Sequence, residues 1–215
     1  MVKTRSQAKS NIKSNMKSRS VKKKISKKSP SGYFNTFFQW TQGDNKLFCE
    51  KSVNRIKRSD LIGEDPELYK SMKRRCFYIS KDNKKNKWLY DYITQIVKNL
   101  NDEVWGFDIN DLDYVSYIKY YGSDKGEIGW HMDVGRSGKM NFTKNKITCI
   151  VQLSDPEDYK GGELQLFGID GITKIPKAKG NTVIFPSYFM HRVTPVTKGL
   201  REVITAIFRG NESFK

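Results

Sequence analysis

Histidine is nearly missing from this chain: among 215 residues there are two, His131 and His191. Cysteine is also sparse, with Cys49, Cys76 and Cys149 lying far apart and no CxxC pair. An odd, scattered set excludes a disulfide framework and a structural zinc site, and it suits a reducing compartment. No apolar run approaches the ~18 residues of a membrane span, and the N-terminus lacks the apolar segment of a secretory signal. The expectation is a soluble intracellular protein, in cytoplasm or nucleus, with no membrane partner. Acidic residues are absent from positions 1–31, which hold 11 Lys and Arg, so of the net charge of +17 only +6 belongs to the rest.

That basic segment is rich in Lys and Ser and too poor in apolar residues to bury a core, so it reads as a disordered tail. It is either a plain solvated extension or a nuclear-import or nucleic-acid patch. The cluster Lys17, Arg19, Lys22, Lys23, Lys24, Lys27 and Lys28 supports the second reading. Aromatic and aliphatic residues are plentiful beyond it, enough for one domain with a real core.

The run 33–40 is aromatic and reads as a strand. Residues 42–75 are polar and irregular, with Pro66, and suit loops and a short helix. Leu89, Ile93, Ile96, Val97 and Leu100 recur at helical steps, predicting an amphipathic helix over 87–100 capped by Asp82, Asn83 or Asn86. After Glu103 short β runs follow at 104–109, 114–121, 127–131, 146–153, 163–167, 182–185 and 202–208, punctuated by Gly, Pro, Asn and Asp. The fold class expected is mainly β with flanking helices, around a double-stranded β-helix (jelly-roll) core. Three parts result: the tail 1–31, a strand and helix support region 32–103, and a core 104–215.

Both histidines sit in distinctive settings. His131 opens His131-Met132-Asp133 after a predicted strand, and residues i and i+2 of an extended segment face one side. His191 follows Pro186-Ser187 near the start of another strand. Were that strand beside the first, two imidazoles and a carboxylate would share one face, the arrangement of non-haem Fe(II) oxygenases. It leaves coordination positions open for reactants. Taken alone, an HxD triplet is more often incidental.

The context after it changes that balance: Gly161-Gly162-Glu163-Leu164, Gly180 to Phe185-Pro186, His191-Arg192-Val193-Thr194-Pro195-Val196, and Gly199-Leu200-Arg201. In this order and spacing the chain resembles the prolyl 4-hydroxylase-like branch of the 2-oxoglutarate/Fe(II) dioxygenase superfamily, well over 104–210 and more loosely from 75 through the helix. The resemblance implies that His131, Asp133 and His191 ligate Fe(II), which also makes them the catalytic set. It implies that Arg201 pairs with the 5-carboxylate of 2-oxoglutarate through its planar fork of donors. Tyr120, with Tyr121 as the alternative, and Thr205 are further candidates for contacting the co-substrate. Some relatives carry a second tyrosine where Gln152 stands, so that contact is altered or lost here. Many carry Ser where Val203 stands. Trp130 is expected beside the site, and Arg136 is either a substrate contact or a solvated loop residue.

The activity implied is hydroxylation of a C–H bond with O2 as oxidant and L-ascorbate keeping the iron reduced. A prolyl residue of a protein or peptide is the favoured substrate, with lysyl residues, a free amino acid or a nucleic-acid base as alternatives. Two readings from other classes compete: a non-enzymatic β-barrel binding module with a vestigial site, and a nucleic-acid-directed barrel acting through its basic tail on a polyanion.

Overall fold

The structure is a computed structural model and describes residues 38–40, 49–51, 54, 61–62, 73–110, 112–137, 140–169 and 171–214. The basic tail and the first part of the 33–40 run lie outside the described residues. Fourteen strands are present among them: β1 (Phe38–Trp40), β2 (Leu61–Ile62), β3 (Arg75–Ile79), β4 (Leu112–Tyr121), β5 (Ile128–His131), β6 (Arg136–Ser137), β7 (Met140–Asn141), β8 (Asn145–Gln152), β9 (Tyr159–Gly161), β10 (Leu164–Gly168), β11 (Gly171–Lys174), β12 (Thr182–Pro186), β13 (His191–Val193) and β14 (Val196–Arg209). The helix α1 spans Lys87–Val104. A large sheet runs β1-β12-β8-β14-β4-β3-β2, with β9 added beside β14, and a small sheet runs β11-β10-β13-β5. Every pairing is antiparallel. The two sheets form the jelly roll that the alternating runs predict.

Strand alternation explains the layering. In β8, Ile147, Cys149 and Val151 join the core that contains Leu89, Ile93, Val97 and Leu100 of α1. Ile150, on the opposite face, joins Ile118, Tyr120, Leu164, Val193 and Val203 between the sheets. β4 and β14 divide the same way, Val115, Tyr117, Ile204, Ala206 and Phe208 facing the helix layer. The large sheet is thus buried on both faces, and side chains at every second position enter the roll.

The helix runs four residues past its expected end. Asn101 accounts for its stop and for the loss of the strand predicted at 104–109. Its amide donates to Phe107 O at 2.9 Å and accepts from Phe107 N at 3.0 Å, holding the chain in a tight turn through Gly106, whose φ is +62°. Those backbone groups are then no longer available to a ladder. Asn83 caps only the short 3-10 turn before the helix, accepting from Lys85 N at 3.0 Å, and Asn86, the helix cap, makes no side-chain capping bond. Arg75, the last residue of the stretch 42–75 expected to be irregular, opens β3, which pairs with β4.

Candidate metal centre and its anion pocket

His131 ends β5 and His191 begins β13, and the two stand directly opposite one another in the ladder. Their ring centroids lie 4.1 Å apart. Each ring is oriented by the backbone two residues earlier: His131 Nδ1 lies 2.8 Å from Gly129 O, and His191 Nδ1 lies 2.9 Å from Phe189 O. A carbonyl only accepts, so each Nδ1 carries a proton, and Nε2 is the nitrogen turned toward Asp133. Asp133, in the bend after β5, brings Oδ1 to 3.5 Å from His131 Nε2 and Oδ2 to 3.5 Å from His191 Nε2. One ligand atom from each of the three residues falls within 4.8 Å of the others.

The bend carrying Asp133 is tied to the large sheet. Asp133 N donates to Ser187 O at 2.9 Å, Asn145 Nδ2 donates to Asp133 O at 2.7 Å, and Thr148 Oγ1 donates to Asp133 Oδ2 at 2.8 Å. Thr148 also lies 3.1 Å from Ser187 Oγ. Asn145, Thr148 and Ser187 were not singled out from the sequence. The signal available was the alternation of β8, which aims Thr148 into the roll with Ile150 and Gln152.

Burial works against ionisation of Asp133, but the facing imidazoles of His191 and His131 and the Thr148 hydroxyl outweigh it and hold the carboxyl well below its usual range. Burial lowers the His191 pKa despite the nearby carboxylate. A deprotonated carboxylate beside an imidazole that burial keeps from protonating is the pattern a metal cation needs. Two imidazole nitrogens and one carboxylate suit a divalent first-row metal, and the set borders an open cavity, so the residues present fit iron(II).

That cavity has a volume of about 780 Å³, and Tyr120, Val203 and Thr205 line it together with the three candidate ligands. Trp130 and Arg136 line it too. The Trp130 indole lies edge-on to Phe167 at 6.2 Å, and the Arg192 guanidinium sits 4.6 Å from its centroid. Tyr120 points inward, 2% exposed, and Arg74 Nη1 donates to its hydroxyl at 3.4 Å. Tyr121 does not line the cavity; the Arg75 guanidinium lies 5.0 Å from its ring. Arg74 is a cavity residue that the sequence reading passed over, hidden in a basic stretch taken as loop.

Arg201 on β14 stands opposite Tyr120 on β4, its guanidinium 5.2 Å from that ring. It is 2% exposed, and its Nε and Nη1 have no hydrogen-bond partner among the described residues. A buried cation with unsatisfied donors fits an anionic ligand. Arg201 borders a smaller pocket beside the large cavity, with Gln152, Tyr159, Gly162 and Lys177, and Ile150 and Leu164 line both.

A jelly roll with two histidines and a carboxylate converging on its interior defines the class of non-haem iron(II) oxygenase folds. Sequence comparison points the same way: residues 115–209 match the 2OG-Fe(II) oxygenase superfamily. A PKHD-type hydroxylase of Acidovorax ebreus is 37% identical over 82 residues, covering 37% of this chain and 36% of that protein. One from a Polaromonas species is 32% identical over 102 residues, 44% of this chain and 45% of its own. The chain thus spans less than half the length of the curated relatives it matches. Among solved structures, a Pseudomonas putida prolyl-4-hydroxylase superimposes with a TM-score of 0.63 at 17% identity, covering 81% of this chain and 92% of that one. A prolyl hydroxylase from Trichoplax adhaerens, in complex with a hypoxia inducible factor peptide fragment, gives 0.63 at 18% identity, with 81% and 84% covered. These likenesses establish the shared fold. Among the described residues no helix is long and apolar enough to cross a membrane.

Proposed function

We propose that this protein is an Fe(II)- and 2-oxoglutarate-dependent dioxygenase that hydroxylates a polypeptide, a prolyl residue being the favoured target. The observation that carries the reading is the convergence of His131, Asp133 and His191 beside a buried arginine with unpaired donors. His131, Asp133 and His191 would hold the iron. When bound, the metal with 2-oxoglutarate and O2 supplies the oxidising power that inserts oxygen into a C–H bond.

The chain's own residues orient and exclude. Gly129 O and Phe189 O hold the imidazoles with Nε2 inward, and Thr148 holds the carboxylate. Arg201 binds the distal carboxylate of the co-substrate, and its charge is independent of working pH. Tyr120 covers one side of the guanidinium, and Thr205, facing the same cavity, offers a hydroxyl for a further bond. Ile118, Ile150, Leu164 and Val193 wall the cavity with hydrocarbon, which limits competing reaction with water. A polypeptide substrate is supported by what the Trichoplax relative binds, and ascorbate as reductant belongs to the same reading.

The test is anaerobic titration of the purified protein with Fe(II) and then 2-oxoglutarate, followed by a peptide screen read by mass spectrometry. The expected result is one iron and one co-substrate per chain and a +16 Da product on proline-containing peptides, +16 being roughly the mass of the inserted oxygen. Failure to bind Fe(II) would return the barrel to the class of non-enzymatic modules.

A further inference from the structure

The smaller pocket holds a polar chain that the sequence motifs do not account for. Tyr159 opens β9, seven residues after Gln152, and is 2% exposed. Gln152 Nε2 donates to its hydroxyl oxygen at 3.2 Å and is itself fixed by Ser154 O at 3.3 Å. The Arg201 guanidinium lines the same pocket as the phenol. Burial raises the Tyr159 pKa, with Arg201 and Gln152 opposing the rise, so the phenol is neutral.

Gly162 permits this convergence. Its φ is +61°, and an added Cβ would lie 3.1 Å from Tyr159 Cε2 and 3.0 Å from Arg201 Cδ. Lys177 Nζ sits 5.0 Å from the Tyr159 ring centroid, placing a second cation on the same pocket wall.

A phenol has one proton to give and two lone pairs. Here Gln152 is the donor toward the oxygen, which leaves the hydroxyl its own proton to donate. An anion seated on Arg201 in this pocket would share its wall with that hydroxyl. By the resemblance, Gln152 occupies the position where some relatives carry a second tyrosine, and β9 offers a phenol beside it.

Building on the dioxygenase reading, we propose that Tyr159, held by Gln152, donates its hydroxyl proton to the distal carboxylate of the 2-oxo acid bound at Arg201. Tyr159 is then a ligand-binding residue and Gln152 a positioning residue. The pair selects for a second carboxylate on the co-substrate.

The experiment is calorimetric titration of the full chain, loaded anaerobically with Fe(II), with 2-oxoglutarate and with 2-oxobutanoate, which shares the 2-oxo acid head and lacks the second carboxylate. Tyr159→Phe keeps the ring and removes the hydroxyl. It is expected to lower the preference for 2-oxoglutarate by about tenfold, the scale of one charge-assisted hydrogen bond, with 2-oxobutanoate affinity unchanged. Gln152→Leu, which releases the phenol, is expected to lower the preference by about threefold, as loss of a weaker neutral bond would. Wild-type preference in both variants, or an equal loss of both ligands in Tyr159→Phe, overturns the proposal. No preference for 2-oxoglutarate in the wild-type protein instead overturns the parent assignment of Arg201, whatever the variants do.

Discussion

Every residue of β8 in the large sheet is buried, whereas no residue of β5 or β11 in the small sheet is buried to that degree. The large sheet is packed on one face by α1 and on the other by the roll interior; the small sheet is half open to solvent. Yet His131 and His191 belong to the small sheet, and Asp133 follows it. The large sheet contributes Tyr120, Thr148, Arg201 and Thr205. The open sheet presents the candidate metal ligands, and the closed one supplies Thr148, which holds Asp133, and Arg201, the proposed anchor of the co-substrate. A site divided in this way separates access from rigidity.

The comparison is broken most severely by removing a ligand. Asp133→Ala or His191→Ala is expected to abolish measurable Fe(II) binding and turnover while the circular dichroism spectrum stays that of a β protein, because the large sheet is untouched. Retained iron affinity in either variant would remove the metal assignment.

The converse variant damages the large sheet alone. Ile204 is fully buried on the helix-facing side, and Ile204→Ala is expected to cost about 2–5 kcal/mol of stability. Urea unfolding measures the cost, and iron affinity of the remaining folded protein should stay within a factor of about three, since distant sites behave additively.

Two substitutions sharpen the division. Arg201→Ala is expected to weaken 2-oxoglutarate binding by about 1.5–3 kcal/mol, as loss of a charge-assisted bond does. An unchanged calorimetric affinity would place the anchor elsewhere, with Arg74 the next guanidinium in reach of the cavity. Thr148→Val removes the hydroxyl that holds Asp133 and is expected to lower Fe(II) affinity about 10- to 100-fold with little change in thermal midpoint. Equal affinity would mean that the backbone bonds to Ser187 and Asn145 suffice.

A last effect is a dependence on alkaline pH, absent at neutral pH. Burial pushes the Cys149 thiol up to about 12 in the folded chain from 9.0. Above pH 9 the unfolded chain releases this proton and the folded chain keeps it. The stabilisation is therefore fully present below pH 9 and shrinks as pH rises, by about 1.4 kcal/mol per unit up to the folded pKa. Urea midpoints of wild type and Cys149→Ala between pH 8 and 10.5 test this, the wild-type slope being the steeper. Parallel slopes would mean that the thiol ionises while folded.

How much of this could be read beforehand follows from local chemistry. The strands at 114–121, 146–153 and 182–185 showed because their apolar residues are dense and bounded by turn residues. β9 and β11 did not, being short segments that contain glycine and owe their pairing to β14 and β10. The residues 104–109 have strand composition, but Asn101, five residues before the middle of that run, diverts the backbone. At the site, the two histidines and Arg201 stood out through scarcity and spacing. Thr148, Ser187, Asn145 and Tyr159 did not, because a polar residue in a strand looks the same whether it faces water or a buried partner. Only the folded register tells these apart.

The facing of His131 and His191 across the β5–β13 ladder turns chain length into chemistry. Side chains alternate along a strand, so one residue inserted between Ile128 and His131 would turn the first imidazole outward while its partner stayed in place. An insertion between β6 and β7 shifts nothing in that ladder. Tolerance to insertion should therefore change from complete to nil within ten positions, and a library of single-residue insertions across 126–142 would trace the site by counting alone.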